Sequence, residues 1–325
     1  VPLYLFVFKN CTAKVLLGIM SRPKYLVIGP GAMAFYTFLG RLSCMDLSQV
    51  RAVSGSSAGA LLALLWIIHD GDVYAILKTA TSVKVDQLMK PNIKNFLSNF
   101  GLVPISKMRH VLTEFIFKKF KVRDLTFGEL WNRRPVKLYV SAFCTERGQT
   151  VYFSHETHPG TSVIDAVCAS IAVPLLFSTV KIGEWRYVDG GYQEEIPGLP
   201  FVDKDPADVI AICIDQPPVM APSNSMGSYM ATIFAGILRL RHKYNFPSYI
   251  IDSMDIDIFD FSADGLSLFV KGQKSMNLVN ETHYPVGLYR PTHVQDDPRE
   301  GDPEPQGVLV PPQAGLYPRE TGPDL

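Results

Sequence analysis

Long apolar runs are scarce in this chain. After the first 20 residues the longest, Ala60–Ile68, falls well short of the roughly 20 residues that a spanning helix needs. Excess charge of one sign is missing too. Lys+Arg and Asp+Glu both number 31, so no general pull toward nucleic acid is expected. Cysteine is sparse and unpatterned. Cys11, Cys44, Cys144, Cys168 and Cys213 are odd in number and never form a C-x-x-C pair. That argues against a disulfide framework or a zinc site and favours buried thiols in a reducing compartment. The expectation is an intracellular protein, cytoplasmic or peripheral on membranes. No cluster of metal ligands stands out, and no metal or cofactor is expected.

What is present suits a folded domain. Hydrophobic residues make up 47% of the 325 positions and charged residues 19%, enough for a sizeable core. Residues 1–21 are apolar but broken by Lys9, Asn10 and Lys14, and read as an extension outside the fold. Nine of the 24 prolines fall in residues 284–325, among Gly, Asp and Glu. Such a composition buries too little apolar surface to offset its ordering entropy, so this stretch reads as a disordered tail. The domain is expected over residues 22–283.

Within it, Lys24–Ile28 reads as a buried strand, residues 32–42 as a helix, Gln49–Ser54 as a second strand and Ala58–His69 as a second helix. Strand, tight turn and helix, repeated, predict an α/β fold with a largely parallel sheet flanked by helices. Residues 72–120 lean helical. Strands are expected at Val136–Phe143, Gln149–Phe153, Leu175–Ile182, Trp185–Val188 and Val209–Ile214. A helix is expected at Ser162–Ser170. Further on, residues 226–243 read as helical, Tyr249–Phe261 as extended and Leu266–Leu278 as helical.

Between the second strand and its helix lies Gly55-Ser56-Ser57-Ala58-Gly59. A Gly-x-Ser-x-Gly pattern in that context is a nucleophile elbow. The glycines avoid clashes at a sharp turn, and the Ser57 oxygen stands at a helix N-terminus, which favours negative charge. A nucleophile needs a base. The seven histidines, His69, His110, His155, His158, His242, His283 and His293, read as surface or structural imidazoles. Asp189 offers itself instead, at a strand end before Gly190 and Gly191. Taken alone, Asp-Gly-Gly is equally a hairpin turn. A third motif, Gly29-Pro30-Gly31-Ala32-Met33-Ala34, follows the first strand. It looks like a dinucleotide fingerprint, but the next strand ends in Val53-Ser54-Gly55 rather than the acidic residue such a site requires.

With these three motifs in this order, the chain resembles the patatin-like phospholipases over roughly residues 22–280. Cys168-Ala169-Ser170-Ile171-Ala172-Val173-Pro174 is similar to that family's stretch upstream of the aspartate. The resemblance implies a three-layer α/β sandwich and a lipid acyl hydrolase, either a phospholipase A or a less specific lipid esterase. It makes Ser57 the nucleophile and Asp189 the base of a dyad without histidine. The amides of Gly29, Gly31 and Ala32 become the oxyanion hole, while Pro30 has no N–H to give. A free aspartate, with a pKa near ~3.9, is a weak base for a hydroxyl, so desolvation and oxyanion donors must assist it. Pro30, Met33 and Ala34 depart from the family's glycine, basic residue and glycine, and Glu195 stands near a common Asn. Two other readings stay open: a Ser-His-Asp esterase on an ordinary α/β-hydrolase fold, and a lipid-binding protein without useful catalysis. Finally, residues 107–123 gather Lys107, Arg109, Lys118, Lys119, Lys121 and Arg123 on an amphipathic segment. It is expected either to lie on an anionic membrane or to pack on the core with a solvated basic face.

Overall fold

The first strand dictates where everything else goes. In β1 (Tyr25–Ile28) all four side chains are buried. Leu26 and Ile28 enter the main core on one face of the sheet. Tyr25 and Val27 enter a smaller core on the other, beside Ile196, Phe201 and Phe246. A strand buried on both faces needs an unbroken apolar run, which YLVI supplies. The computed structural model describes residues 22–214, 246–251, 256–274 and 278–279. The expected extension at 1–21, helix at 226–243 and tail at 284–325 lie outside them. All described residues belong to one unit, Val1–Val286.

β1 pairs in parallel with β2 (Ala52–Ser56) on one side and β9 (Val209–Ile214) on the other. Parallel pairing continues outward from β9 to β10 (Ser248–Ile251) and from β2 to β4 (Lys137–Cys144). The margins are antiparallel. β11 (Leu278–Val279) adds to β10, while β5 (Gln149–Phe153), β7 (Val180–Ile182) and β8 (Trp185–Asp189) gather around β4. The result is an α/β fold with a central sheet flanked by helices.

The helices of the main core are amphipathic or wholly apolar as their burial demands. α1 (Phe35–Leu42) follows a single 3-10 turn at Ala32–Ala34. α2 (Ala58–Ile68) is buried at every position but Leu61. The helical stretch expected over 72–120 divides into α3 (Val73–Thr81), α4 (Val85–Leu88), α5 (Ile93–Asn99) and α6 (Ser106–Phe120). It is interrupted by β3 (Gly101–Val103), which pairs in parallel with β6 (Leu175–Phe177). The strand expected over Leu175–Ile182 is therefore two strands in two sheets. α7 (Phe127–Arg133) and α8 (Val163–Ser170) complete this region. The extended run expected from Tyr249 to Phe261 holds only to Ile251 among the described residues, and residues 258–259 and 261–262 are turns. α9 (Gly265–Lys274) ends short of Leu278, which lies in β11.

Cys144, Cys168 and Cys213 are buried free thiols. Burial pushes the Cys168 thiol up to about 12, so it stays protonated and inert.

α1 and α9 cross in backbone contact. A Cβ on Gly40 would lie 2.0 Å from the Phe269 carbonyl oxygen, and one on Gly272 would lie 1.9 Å from that of Thr37. Neither helix has a flexible side chain there to move aside. Gly272→Ala should therefore force the pair apart at about 1–3 kcal/mol. Its melting midpoint should fall by roughly 3–10 °C for a domain of this size. Calorimetry checks this, and an unchanged midpoint would show that the crossing is looser than drawn.

Candidate active site

The chain runs from β1 to β2 on one side and later places β9 on the other. The carboxyl end of β1 is thus a switch point, where open α/β sheets form their crevices. The glycine loop 29–31 leaves β1 there, and Ser57 leaves β2 beside it. A Cβ on Gly59 would fall 2.2 Å from the Ile28 carbonyl oxygen, and one on Gly55 would fall 2.5 Å from that of Gly59. Two glycines thus let the first turn of α2 sit directly on the ends of both strands. Ser57, caught between, has φ 54° and ψ −125°. That left-handed backbone is costly for a residue with a side chain and marks a strained elbow. Ser54 and Ser56 alternate to the face of Ala52, and the Ser54 hydroxyl donates to the Pro197 carbonyl at 2.6 Å.

Asp189 arrives by a different route. β2 runs parallel to β4, ending with Ser56 opposite Ser141. β8 runs antiparallel to β4, ending with Asp189 opposite Ala142. β5 pairs with residues 140–144, overlapping both registers, so it occupies the opposite edge. β2 and β8 therefore share one edge of β4 and meet end to end. Ser57 and Asp189 stand at that junction, 6% and 5% exposed. Gly190 packs on the same spot: a Cβ there would lie 2.3 Å from the Ser141 carbonyl oxygen. The Gly191 amide donates to Asp189 Oδ1 at 2.7 Å, which orients the carboxylate.

One strap touches both residues. The Ser57 amide donates to Ser170 Oγ at 2.9 Å, and the Asp189 amide donates to the Ala172 carbonyl at 2.9 Å. Ser170 ends α8 and is fully buried. Its segment is visible in the sequence as a motif, but its task is not. A lone serine at a helix end carries no signal of what it will accept.

The glycine loop requires one correction. The Gly29 amide donates to the Ile212 carbonyl at 2.8 Å, within the β1–β9 ladder, so it is not free for an oxyanion. The amides of Gly31 and Ala32 make no hydrogen bond among the described residues. Ala32, with φ 43°, lines the pocket beside Ser57. Pro30 packs on Gly191, where a Cβ would lie 2.7 Å from the proline ring. Met33, standing at the family's basic position, faces the same pocket.

That pocket opens from Ser57 and is walled almost wholly by carbon: Leu61 and Leu65 of α2, Met108 and Phe115 of α6, and Ile171 and Leu176 near the strap. Tyr36 brings a hydroxyl, which donates to the Ala80 carbonyl at 3.2 Å. Burial first, and then the Asp264 carboxylate, hold that hydroxyl above its usual range. Among the described residues no charged side chain lines the cavity, a lining that fits a hydrocarbon chain and opposes a charged substrate.

The described histidines stand apart from this cavity. None of the four described histidines lines the pocket. His69 caps the far end of α2, ~18 Å along the helix from Ser57. His155 stacks on Trp131 with ring centroids 4.3 Å apart. His242, His283 and His293 lie outside the described residues. Among the described residues no group of three His, Cys, Asp or Glu side chains could hold a metal.

The basic segment is partly spent on structure. Met108, Val111 and Phe115 face the pocket, and Leu112 and Ile116 are buried, so the apolar side of α6 belongs to the core. Arg109 pairs with Asp165, and Lys119 with Asp70. Lys118 and Lys121 remain exposed. No described helix is long and apolar enough to cross a membrane.

Comparison with known proteins bears on the same region. A family profile described as patatin-like phospholipase matches residues 26–206. A protein of Invertebrate iridescent virus 6, named probable lipid hydrolase 463L, is 26% identical over 186 residues, which are 54% of this chain and 63% of that protein. Triacylglycerol lipase 4 of Saccharomyces cerevisiae is 27% identical over 206 residues, covering 55% of this chain and 22% of that protein. The chain thus spans less than two thirds of either relative. VipD from Legionella pneumophila superposes with a TM-score of 0.51 at 14% identity, over 78% of this chain and 66% of that one. This likeness concerns the fold.

The strap yields a prediction. Ser170→Ala strands the buried Ser57 amide, at about 1–3 kcal/mol, and frees the elbow to relax. Any ester hydrolysis by the chain should lose roughly ten- to a hundredfold in kcat with KM little changed, since geometry rather than binding is disturbed. Steady-state kinetics on a soluble ester checks this. A loss confined to KM would mean that Ser170 serves the pocket instead.

Proposed function

Because the chain belongs to the patatin-like phospholipase family, we propose that it hydrolyses carboxylic esters of lipids with a Ser57–Asp189 dyad. The observation that carries this reading is the strained Ser57 at the β2–β8 junction, beside Asp189 and open to an apolar pocket. Ser57 Oγ attacks the ester carbonyl while Asp189 takes its proton. The carbonyl oxygen becomes an oxyanion, met by the Gly31 and Ala32 amides and by the dipole at the N-terminus of α2. Collapse releases the alcohol, protonated by Asp189, and leaves an acyl-Ser57 ester. Water, deprotonated by the same carboxylate, then frees the fatty acid.

The pocket's lining supports this assignment in two ways. It takes an acyl chain without leaving polar groups unpaired. It also keeps water from the dyad, which strengthens each donor's hold on the oxyanion. Met33 in place of a basic residue leaves the loop without a cation for an anionic head group, so recognition rests on the acyl chain. The names of the viral and yeast relatives agree with a lipid ester as substrate. Attraction to an anionic lipid surface through Lys118 and Lys121 belongs to this reading as a contribution of charge alone.

The test uses soluble p-nitrophenyl esters of increasing chain length. kcat/KM should rise severalfold over the first added methylenes, since each buried CH₂ contributes at most about 0.8 kcal/mol. Ser57→Ala and Asp189→Asn should each lower kcat at least about a thousandfold with unchanged melting. Asparagine keeps an Oδ1 acceptor for the Gly191 amide, so the second variant removes the base and spares the turn. Full turnover by Asp189→Asn would exclude the dyad.

A further inference from the structure

α5 is built inside out. Asn95, the one half-buried residue of the helix, turns its side chain to the protein, while the backbones of Asn92 and Asn99 tie the helix ends to it. The Asn92 amide donates to the Leu102 carbonyl at 2.7 Å. Asn95 Nδ2 donates to the Gly101 carbonyl at 2.5 Å and to Ser178 Oγ at 2.8 Å. The Asn99 carbonyl accepts from the Thr179 amide at 3.3 Å. Ile93, Phe96, Leu97 and Phe100, at i, i+3, i+4 and i+7, form the opposite stripe. Ile93 is 73% exposed and Leu97 77%. A helix packed on a core shows the reverse arrangement.

Two further observations bear on what this stripe meets. First, it continues the pocket mouth. Leu88 and Met89 line the pocket just before α5. Just after it, Gly101 pairs with Leu175 of β6, whose neighbours Leu176 and Phe177 also line the pocket. Phe100 and Leu175 are exposed although both hold left-handed backbones, with φ 61° and 65°, a conformation that bulky residues avoid. Second, the rim is basic. Lys84, Lys90 and Lys94 are exposed, the last two within three residues of Ile93 in the chain, and Arg186 lies over the Phe100 ring at 5.3 Å. Across residues 84–107 four lysines face one acid, Asp86.

We propose that α5 docks the pocket mouth onto an anionic lipid bilayer. Ile93, Phe96, Leu97 and Phe100 enter the boundary between head groups and acyl chains, while Lys90 and Lys94 meet the negative head groups. A second copy of the chain fits less well, because a two-fold contact would set these lysines against their own counterparts. The docking element thus differs from the 107–123 segment, whose apolar side is buried. In this position a lipid acyl chain passes from the bilayer toward Ser57 without crossing water. That purpose rests on the hydrolytic reading above, but the binding itself does not.

The test is therefore made on full-length Ser57→Ala protein, which binds without turnover. Sedimentation is measured with phosphatidylcholine vesicles, with and without one quarter phosphatidylglycerol, at low and high salt. The expected result is binding to the mixed vesicles that salt weakens. Ile93→Ser with Leu97→Ser should weaken it at least tenfold, and Lys90→Glu with Lys94→Glu should weaken it on mixed vesicles. Both pairs, placed in the native chain, should keep the melting midpoint and the hydrolysis of a short soluble ester. Native-like vesicle binding by the serine pair, or no vesicle binding by the parent, would overturn the proposal. So would a dimer in size-exclusion chromatography that the serine pair dissociates while vesicles are ignored.

Discussion

The end-to-end meeting of β2 and β8 on a single edge of β4 governs the rest of the structure. β4 is longer than either partner, and β5 occupies its other edge. One parallel and one antiparallel strand therefore converge on adjacent residues, Ser141 and Ala142. That convergence brings together Ser57 and Asp189, 132 residues apart in the chain. It also explains the glycines. Gly190 must clear the backbone of Ser141, and Gly55 and Gly59 must admit α2 onto the strand ends. A non-glycine elbow at φ 54° costs on the order of 1–3 kcal/mol and persists only where its surroundings over-determine it. Here the strand behind, the helix ahead and Ser170 at the amide do so.

The chemistry follows from how few polar groups the junction holds. In a triad the third residue orients the base. In the proposed dyad the Gly191 amide orients the Asp189 carboxylate directly. In the proposed reaction, an apolar cavity around the Gly31 and Ala32 amides gives each more effect than it would have in water. The same economy extends to the surface. Among the described residues, charge is absent from the pocket lining, while exposed lysines flank α5, which presents carbon.

Much of this was legible in the amino-acid order, for physical reasons. β1 and β9 are buried on both faces, so each reads as an unbroken apolar run. The elbow and Asp189-Gly190-Gly191 are local, because steric crowding forces glycine at fixed offsets. Long-range pairings left weaker traces. Three-residue strands such as β3 and β6 are too short for a period, and their pairing with each other follows from tertiary contact. The family resemblance implies Gly29 as an oxyanion donor. Only the β9 register reveals that the Ile212 carbonyl already accepts its hydrogen bond. The residues of α5 have ordinary helical spacing, and periodicity does not say which stripe faces inward. The basic segment was ambiguous for the same reason, until Met108, Val111 and Phe115 were seen to face the pocket.

The central claim is that Ser57 is activated by Asp189 across the β2–β8 junction. Its most direct test is the labelling rate of the intact chain by a fluorophosphonate, with the adduct located by peptide mass spectrometry. The account predicts a single adduct on Ser57, formed at least about a hundredfold more slowly in folded Asp189→Asn protein. An adduct on another serine, or native-rate labelling of Ser57 without the Asp189 carboxylate, would contradict it.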